Sequence, residues 1–333
     1  MAALSVVNPT LLDLASLVGP NNEVLPVVEA MSQDNEMLDD MSWVVGNLPT
    51  GHTSAVRTGL PNVSWRKFYQ GIQPSKGRQV QVTDTCGMLE AISEIDKALA
   101  QLNNMSATWM ASADAAFLEA MSQEIQRVLI YGNEGTQPES FTGIMSRYNS
   151  LSAPNAQNLI AAGGSGTDNA SILLVHWHPS QIHGIIPKGS VGGFQRTWLG
   201  EDVAENIDGS NGRALVYRTH YRWDAGLAVP DWRSNVRICN IDKSDMVKTA
   251  ATGADLADLM FQALEVVPRA AAKGRPVFYM SRAIMTMLRR QVANKTVNST
   301  LTVEDVGGKK ITSFQGVPIK RVDAMAADET LVT

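Results

Sequence analysis

Two neighbouring stretches of the chain predict its fold. Residues 53–85 read TSAVRTGLPNVSWRKFYQGIQPSKGRQVQVTDT, and residues 106–131 read SATWMASADAAFLEAMSQEIQRVLIY. The first stretch alternates as a strand would over residues 63–70, between turn signals at 60–62 and 73–77. Both faces of this predicted hairpin mix aromatic and basic residues, so neither face matches a core face. Because an isolated hairpin is marginal in water, we expect it to lie on another surface, most simply that of a neighbouring copy.

The second stretch predicts a long helix that ends at Tyr131. Ser106 can cap its first turn, and about 26 residues at 1.5 Å each give a rod of about 39 Å. A polar stripe faces a wide apolar arc. Glu124 and Arg127 project into that arc three residues apart. They pair either with each other or with a second subunit.

The segments that flank these stretches carry weaker patterns. Residues 86–104 place apolar side chains at helical spacing, which predicts a second helix. These side chains are Leu89, Ile92, Ile95, Leu99 and Leu102. Residues 1–50 are apolar segments interrupted by prolines, and they predict an arm that ties to neighbouring subunits, with a short helix over Pro9 to Val18.

The rest of the chain predicts loops, then strands, then an α/β unit. Residues 140–170 are typical of loops, and the continuous apolar run Ser171 to Trp177 predicts a buried strand. Further strands are expected at 213–221, 227–229, 236–241, 276–280, 311–314, 317–322 and 330–332. Helices are expected at 254–265 and 282–294. The alternation of helix and strand over the last eighty residues indicates a compact α/β unit.

Composition narrows the class of protein. Charged residues make up only 18% of the 333 residues, against roughly 25% in typical soluble proteins. The formal net charge of −5 argues against a general nucleic-acid binder. Cys86 and Cys239 are too few for a disulfide framework. We expect no signal peptide, since the first residues lack a basic leader, and no apolar run approaches the ~20 residues of a membrane helix.

Three histidines form the one cluster with metal-ligand spacing. His176 and His178 share a strand face, and His183 follows closely, so all three could bind a metal ion. No Asp or Glu lies within the cluster, however, and ordinary hydrogen bonds at a strand end are the alternative. The glycines of residues 163–166 lack the Lys-Ser/Thr of a phosphate-binding loop. We therefore expect no metal and no cofactor.

Basic side chains concentrate in the predicted hairpin. Its five basic residues could contact nucleic acid, or form salt bridges with the acidic stretch 34–40 of a neighbouring subunit, which fits the net charge better. The predicted contacts between subunits lie on this hairpin and on the predicted helix 106–131. These are Arg57, Trp65, Arg66, Lys67, Phe68, Tyr69, Glu124 and Arg127.

Two blocks of sequence resemble a known family. Residues 57–103 (RTGLPNVSWRKFYQGIQPSKGRQVQVTDTCGMLEAISEIDKALAQLN) and residues 113–133 (ADAAFLEAMSQEIQRVLIYGN) are similar to the major capsid proteins of tailed bacteriophages. The resemblance implies the α+β Hong Kong 97-type capsid fold. In that family the hairpin is the extended E-loop, which lies over the adjacent subunit, and the long helix is the spine of the peripheral (P) domain.

The resemblance also implies a division of the chain. Residues 1–50 would form the N-terminal arm and residues 51–85 the E-loop. Residues 86–242 would form the P domain, with the spine helix at 106–131 and long strands, and residues 243–333 the axial (A) domain. In the common order the A-domain unit precedes the last P-domain strands. Because the strands at 171–178 and 213–241 come first here, we expect a rearranged strand order.

The function implied by the resemblance is structural and not enzymatic. Hexamers and pentamers would form an icosahedral shell around a double-stranded DNA genome, without sequence-specific binding and without a membrane. A separate scaffolding protein and a portal protein are the implied partners, and the resemblance leaves open whether a cement protein joins them. Assembly would take place in the cytoplasm of the host bacterium before the protein resides in the virion. Two alternatives remain open: an encapsulin-type nanocompartment shell, and a metal-dependent enzyme that uses His176, His178 and His183.

Overall fold

The computed structural model describes residues 33, 36–101, 106–205, 212–247, 253–294, 301–306, 309–326 and 328–333. Its α-helices are α1 (Met37–Asp40), α2 (Lys97–Gln101), α3 (Ser106–Tyr131), α4 (Ile144–Arg147), α5 (Leu256–Val266) and α6 (Arg282–Asn294). Its strands are β1 (Trp43–Val45), β2 (Gly51–Gly59), β3 (Arg78–Asp96), β4 (Leu159–Ala161), β5 (Asn169–Trp177), β6 (His183–Ile186), β7 (Phe194–Glu205), β8 (Arg213–Ala228), β9 (Val236–Asp242), β10 (Arg275–Met280), β11 (Leu301–Val306), β12 (Lys309–Phe314) and β13 (Val317–Arg321).

The described residues divide into two compact units. The helix–hairpin unit comprises Met88–Ile125 and Val191–Asp224, and the sheet unit comprises Gln33–Gly87, Gln126–Ser190 and Ala225–Thr333. The long elements α3, β3 and β8 contribute residues to both units. No helix in the described part of the chain combines the length and the apolar character that a membrane crossing requires.

A seven-stranded mixed sheet forms the body of the sheet unit. Its strand order is β11-β12-β13-β10-β5-β9-β4, with β10 antiparallel to β5 and parallel to β13. Every residue of β5 and β9 is buried, as expected of central strands covered on both faces. Helices α5 and α6 pack on one face, where Phe314 lies between Phe261 (4.8 Å) and Phe278 (6.1 Å).

A buried ion pair anchors the C-terminal residues to this sheet. The guanidinium of Arg237 lies 2.9 Å from the carboxylate of Glu329, which also accepts hydrogen bonds from Tyr131 (2.7 Å) and from Ser171. Burial and the neighbouring carboxylate raise the pKa of the Tyr131 hydroxyl, so this group stays protonated and donates. The side-chain amide of Asn240 adds two hydrogen bonds to Val332. Its oxygen accepts from the backbone N–H (2.9 Å), and its nitrogen donates to the backbone C=O (2.8 Å).

The helix–hairpin unit packs α3 against the β7–β8 hairpin. Phe117 of α3 stacks on Tyr221 of β8 with ring centroids 4.7 Å apart, and the Tyr221 hydroxyl donates to the carboxylate of Asp114. Arg196 of β7 binds the same carboxylate at 2.8 Å. The predicted helix 106–131 is confirmed at both ends, because its signals are local: a cap, an apolar arc and a terminating glycine.

The predicted helix over residues 86–104 is wrong. The segment continues β3 as far as Asp96, and among its described residues only Lys97–Gln101 is helical. Side chains alternate along this strand: those of Ser93 and Ile95 are buried, whereas those of Met88 and Ile92 are exposed. The neighbouring strand β8 supplies the ladder, so tertiary pairing overrides the helical spacing of the apolar residues.

The hairpin also differs from its prediction. Its strands are β2 and the first part of β3, paired from Gly51↔Thr85 to Gly59↔Arg78, whereas residues 60–77 form no strand. The alternation over 63–70 has no pairing strand among the described residues, and Pro61, Gly71 and Pro74 interrupt the segment. The tip is closed instead by local bonds such as that from Ser75 Oγ to the Asn62 carbonyl (2.7 Å).

The predicted division at residue 242 falls within a single sheet. Strands β5 and β9 were expected in the P domain and β10 in the A domain, yet β5 pairs with both β9 and β10. Chain order favours pairing between consecutive strands, so it does not predict that β5 lies between β9 and β10. The helix expected over Pro9 to Val18 lies outside the described residues.

Candidate subunit interface

The tip of the extended hairpin, residues 60–77, is the most exposed apolar segment of the described chain. Trp65 is 100% exposed and Phe68 94%, and Tyr69 is equally open to solvent. Leu60 and Val63 are exposed as well. A fully exposed set of large apolar side chains is typical of a surface that another protein covers.

The root of the hairpin is held firmly, in contrast to its tip. The side chain of Asn47 bonds both the N–H and the C=O of Thr53, each at 2.8 Å. Asp84 is buried, pairs with Arg147 at 2.8 Å and accepts the backbone N–H of Val229 at 3.2 Å. These bonds fix the direction in which the hairpin projects from the rest of the sheet unit.

Two imidazoles pack edge to face beside this root. His52 is the cross-strand neighbour of Asp84, and the ring of His52 lies 5.5 Å from that of the buried His183. Neither ring nitrogen of His183 has a hydrogen-bond partner among the described residues. Burial, and secondarily the nearby His52, lowers the pKa of His183 to about 4, so this side chain is neutral at pH 7.

The hairpin is uniformly basic. Residues 57–83 include five Lys and Arg and no Asp or Glu. The predicted basic contacts Arg57, Arg66 and Lys67 are all exposed on it. Charge and apolar surface therefore coincide on one projecting segment.

Part of the acidic stretch expected to meet these cations is already engaged within the sheet unit. Asp40 accepts hydrogen bonds from Tyr279 (2.7 Å) and Lys320 (2.7 Å), and Lys320 also lies 3.3 Å from Glu36. Asp39 is exposed, and Asp34 lies outside the described residues. The predicted pairing of residues 34–40 with the hairpin therefore has fewer available carboxylates than the sequence indicates.

The helix–hairpin unit carries a surface of paired charged side chains and exposed apolar side chains, which the sequence analysis missed. Arg218 bridges Glu94 (2.6 Å) and Asp202, and His220 lies 3.4 Å from Glu90. Exposed apolar side chains lie on the same strands: Met88, Ile92, Trp198, Leu199, Val203 and Leu215. The signal was the period-two pattern of residues 88–95, which the helical spacing of other residues concealed.

The two predicted contacts on α3 differ in exposure. Glu124 is half-buried and Arg127 is exposed. Arg127 donates to the side-chain oxygen of Gln137 at 3.4 Å. Their role in subunit contacts stays a prediction.

The three histidines considered as metal ligands have separate surroundings. His176 Nδ1 is 2.8 Å from the carbonyl oxygen of Ser234, and His178 Nδ1 is 2.8 Å from the hydroxyl of Ser180. His183 packs on His52. Within the described residues no group of three or more His, Cys, Asp or Glu side chains is arranged to hold a metal ion.

Comparison with known proteins identifies the family. Residues 19–333 match the family model described as major capsid protein GP7. A chain of the bacteriophage Epsilon15 structure is 37% identical, with a TM-score of 0.78 over 100% of this chain and 99% of that chain. The bacteriophage JBD30 capsid is 8% identical, with a TM-score of 0.50 over 89% of this chain and 93% of that chain, a likeness of fold alone. No curated protein matches the sequence.

The exposed apolar hairpin, the long helix and the mixed sheets thus occur in a capsid fold of the Hong Kong 97 type. The chain belongs to the major capsid protein GP7 family of bacteriophage structural proteins.

Proposed function

We propose that this chain assembles into hexamers and pentamers of a closed icosahedral shell that encloses a double-stranded DNA phage genome. The observation that carries the proposal is the projecting tip, residues 60–77, whose aromatic side chains are uncovered in the single chain. A neighbouring copy is the occupant that every molecule of a homo-oligomer can supply.

Burial of the tip supplies a substantial driving force. Covering Trp65, Phe68 and Tyr69 contributes about 1.5–3 kcal/mol for each side chain, before the entropy of association is subtracted. Each copy donates one hairpin and receives another, so modest contacts are multiplied around a closed shell.

The charges favour a particular receiving surface. We take the strands of the helix–hairpin unit, with their exposed apolar side chains, as the surface that receives the hairpin. Glu90, Asp202 and Glu205 are exposed there, and they would exchange their pairs with Arg222, Arg218 and Arg213 for the cations of an adjacent copy. Opposite charges steer the encounter and fix its register more than they add affinity. Glu124 and Arg127 on α3 are proposed to complete this contact.

The remaining roles follow from the family. The arm (1–50) and the E-loop (51–85) would hold adjacent subunits together, and the sheet unit would meet its copies around the five- and six-fold axes. A separate scaffolding protein, a portal protein and a cement protein are proposed partners, with assembly in the cytoplasm of the host bacterium. The net charge of −5 suits a container, since weak adhesion to the phosphate backbone leaves the packed DNA mobile.

Electron microscopy of the purified full-length chain tests the proposal. Closed particles of uniform diameter, built from five- and six-fold capsomers, are the expected result, and sedimentation should show few free monomers. A chain that remains monomeric at high concentration, alone and with its scaffolding protein, would contradict the proposal. Particles that contain a cargo enzyme in place of DNA during infection would instead support a nanocompartment.

A further inference from the structure

The sheet unit contains a cavity of about 540 Å³, a volume typical of small-molecule binding sites. It opens between β10, β13 and α6, and all of its lining residues belong to the sheet unit. Its charged lining residues are Glu36, Asp40, Arg275, Arg289, Lys320 and Arg321. Because cations outnumber carboxylates, the lining carries a net positive charge.

Both carboxylates and two of the cations in this lining are already paired. Lys320 binds the carboxylates of Glu36 at 3.3 Å and of Asp40 at 2.7 Å. Arg321 forms a two-pronged pair with Asp323, with both N–O distances at 2.6 Å. These side chains have no strong electrostatic demand for a further anion.

The other two cations contact only neutral atoms among the described residues. Arg275 donates to the backbone carbonyl oxygen of Asp40 at 3.4 Å, and Arg289 donates to the hydroxyl oxygen of Thr312 at 3.0 Å. Both arginines are exposed, so their remaining N–H groups are accessible to a ligand. A guanidinium presents five N–H donors in a planar fork that fits a carboxylate or a phosphate group.

A buried hydroxyl in the cavity wall provides another donor. Thr312 is only 9% exposed, and its oxygen accepts the hydrogen bond from Arg289. An arginine side chain has no acceptor atom, so this bond leaves the O–H of Thr312 available to donate. The cavity therefore combines two planar cations with a hydroxyl donor beside one of them.

This set of donors fits a phosphate group better than a carboxylate. A carboxylate has two oxygens, and a single guanidinium fork occupies both of them. A phosphate monoester has three acceptor oxygens and a charge of about −1.5 to −2 at pH 7, so it binds two arginines and a hydroxyl together.

The uncharged part of the lining indicates what else the ligand contains. The cavity is far larger than a free phosphate ion requires, since a water molecule occupies about 30 Å³ of the liquid. Much of the remaining wall is apolar, and it consists of Pro276, Val277, Met285, Pro318 and Ile319. An apolar group attached to the phosphate would cover this wall and exclude water from it.

We propose that this cavity binds a small organic phosphate. Arg275, Arg289 and the hydroxyl of Thr312 donate to the phosphate oxygens, and the organic group lies against the apolar wall. Duplex DNA fits less well, because its phosphates are diesters with one negative charge each along a convex helix. The binding is a property of the single chain and does not depend on the proposed shell.

Calorimetric titration of the full-length protein with phenyl phosphate tests the proposal, in a buffer free of phosphate and sulfate. We expect saturable binding of one ligand per chain. In R275Q/R289Q the loss of two charge-assisted contacts should weaken the affinity at least about tenfold. An absence of saturable binding would overturn the proposal. An unchanged affinity in R275Q/R289Q, with both proteins folded by circular dichroism, would also overturn it.

The matched control is R282Q/R290Q. Both arginines are exposed on α6, as Arg289 is, but neither lines the cavity. This variant changes the net charge by the same amount as R275Q/R289Q, and its affinity should stay within about twofold of the wild type, because long-range charge is screened by salt. An equal loss of affinity in the two variants would overturn the proposal, since net charge and not the cavity would then be responsible.

Competition against phenyl phosphate identifies the chemistry of the ligand. Benzoate carries a similar ring on a carboxylate, and inorganic phosphate has no ring, so each should bind about tenfold more weakly than phenyl phosphate. Duplex DNA at the same phosphate concentration should not displace the ligand. Benzoate of equal affinity would overturn the choice of phosphate, and inorganic phosphate of equal affinity would overturn the organic group. Displacement by DNA would assign the site to nucleic acid and overturn the small ligand.

Discussion

The hairpin tip and the seven-stranded sheet place the same kinds of side chain in opposite environments. Trp65 and Phe68 on the tip are exposed to water, whereas Trp177 and Phe278 in the sheet are at most 1% exposed. In the sheet, the apolar side chains are buried within one chain, because neighbouring strands and the helices on one face cover them. The tip carries comparable apolar surface with nothing in the described chain to cover it, which is why we propose that another copy covers it.

Removal of the tip aromatics should have the largest effect. In W65S/F68S/Y69S the three side chains that drive the contact are gone, so closed shells should disappear from electron micrographs. The free energy of unfolding of the monomer should change by less than about 0.5 kcal/mol, because exposed side chains contribute little to it. V191S, at an exposed valine outside the tip, serves as the control and should still assemble. Normal shells from the triple variant would break the comparison.

Loss of the buried ion pair between Arg237 and Glu329 should have a large effect on the stability of the single chain, whereas removal of the tip aromatics affects assembly. In E329A the guanidinium of Arg237 remains buried without its carboxylate, which costs about 3–5 kcal/mol of unfolding free energy. Urea denaturation in the unassembled W65S/F68S/Y69S background measures this cost. The adjacent variant D328A is the control: Asp328 is 76% exposed in its pair with Lys243, so its loss should cost less than about 1 kcal/mol. Similar costs for both variants would contradict the assigned role of Glu329.

The buried imidazole of His183 predicts that the stability of the folded chain depends on pH. His183 takes up its proton at about pH 4 when folded and at about 6.5 when unfolded. The unfolded chain therefore binds more protons between these values, so stability is full above about pH 6.5 and falls by about 3 kcal/mol as the pH approaches 4.

Urea denaturation between pH 7.5 and 4.5, again in the unassembled background, follows this loss. H183F should make the curve shallower, since phenylalanine does not titrate and keeps an aromatic ring beside His52. Some slope should remain, because burial also lowers the pKa of His176. H178Q changes a less buried histidine and should retain the wild-type slope. A slope in H183F equal to that of the wild type would assign the pH dependence to other groups.

Charge reversal on the hairpin should have the smallest effect per contact. R57E/R66E replaces attraction by repulsion at exposed sites, where an ion pair contributes about 0.2–1 kcal/mol. The concentration needed for shell formation should rise, and more so at low salt, because salt screens the repulsion. Light scattering across protein and salt concentrations measures this shift. An unchanged threshold would remove the basic residues from the proposed contact.

Local signals in the sequence located the elements whose causes are local. The helix Ser106–Tyr131 and the helix Arg282–Asn294 begin and end as predicted, since caps, periodicity and terminating residues lie within each segment. The buried strand around residues 171–177 is confirmed for the same reason. The resemblance of the E-loop and spine sequences to phage capsid proteins was sufficient to anticipate the family.

Elements that depend on distant partners could not be predicted in this way. The apolar residues within 86–96 have helical spacing, but pairing with β8 makes this segment a strand. The tip residues alternate as a strand does, but no strand in the described part of the chain pairs with them. The charged surface of the helix–hairpin unit also depends on residues distant in sequence, since Arg218 of β8 joins Glu94 of β3 to Asp202 of β7.

A reconstruction of the assembled particle by electron cryo-microscopy tests the central claim most directly. The exposed fraction of Trp65, Phe68 and Tyr69 in the shell is the quantity to measure. We predict that a neighbouring copy covers these side chains and reduces their exposure from nearly complete to well below half. A shell in which the three rings remain in solvent, or fold back onto their own chain, would contradict the account.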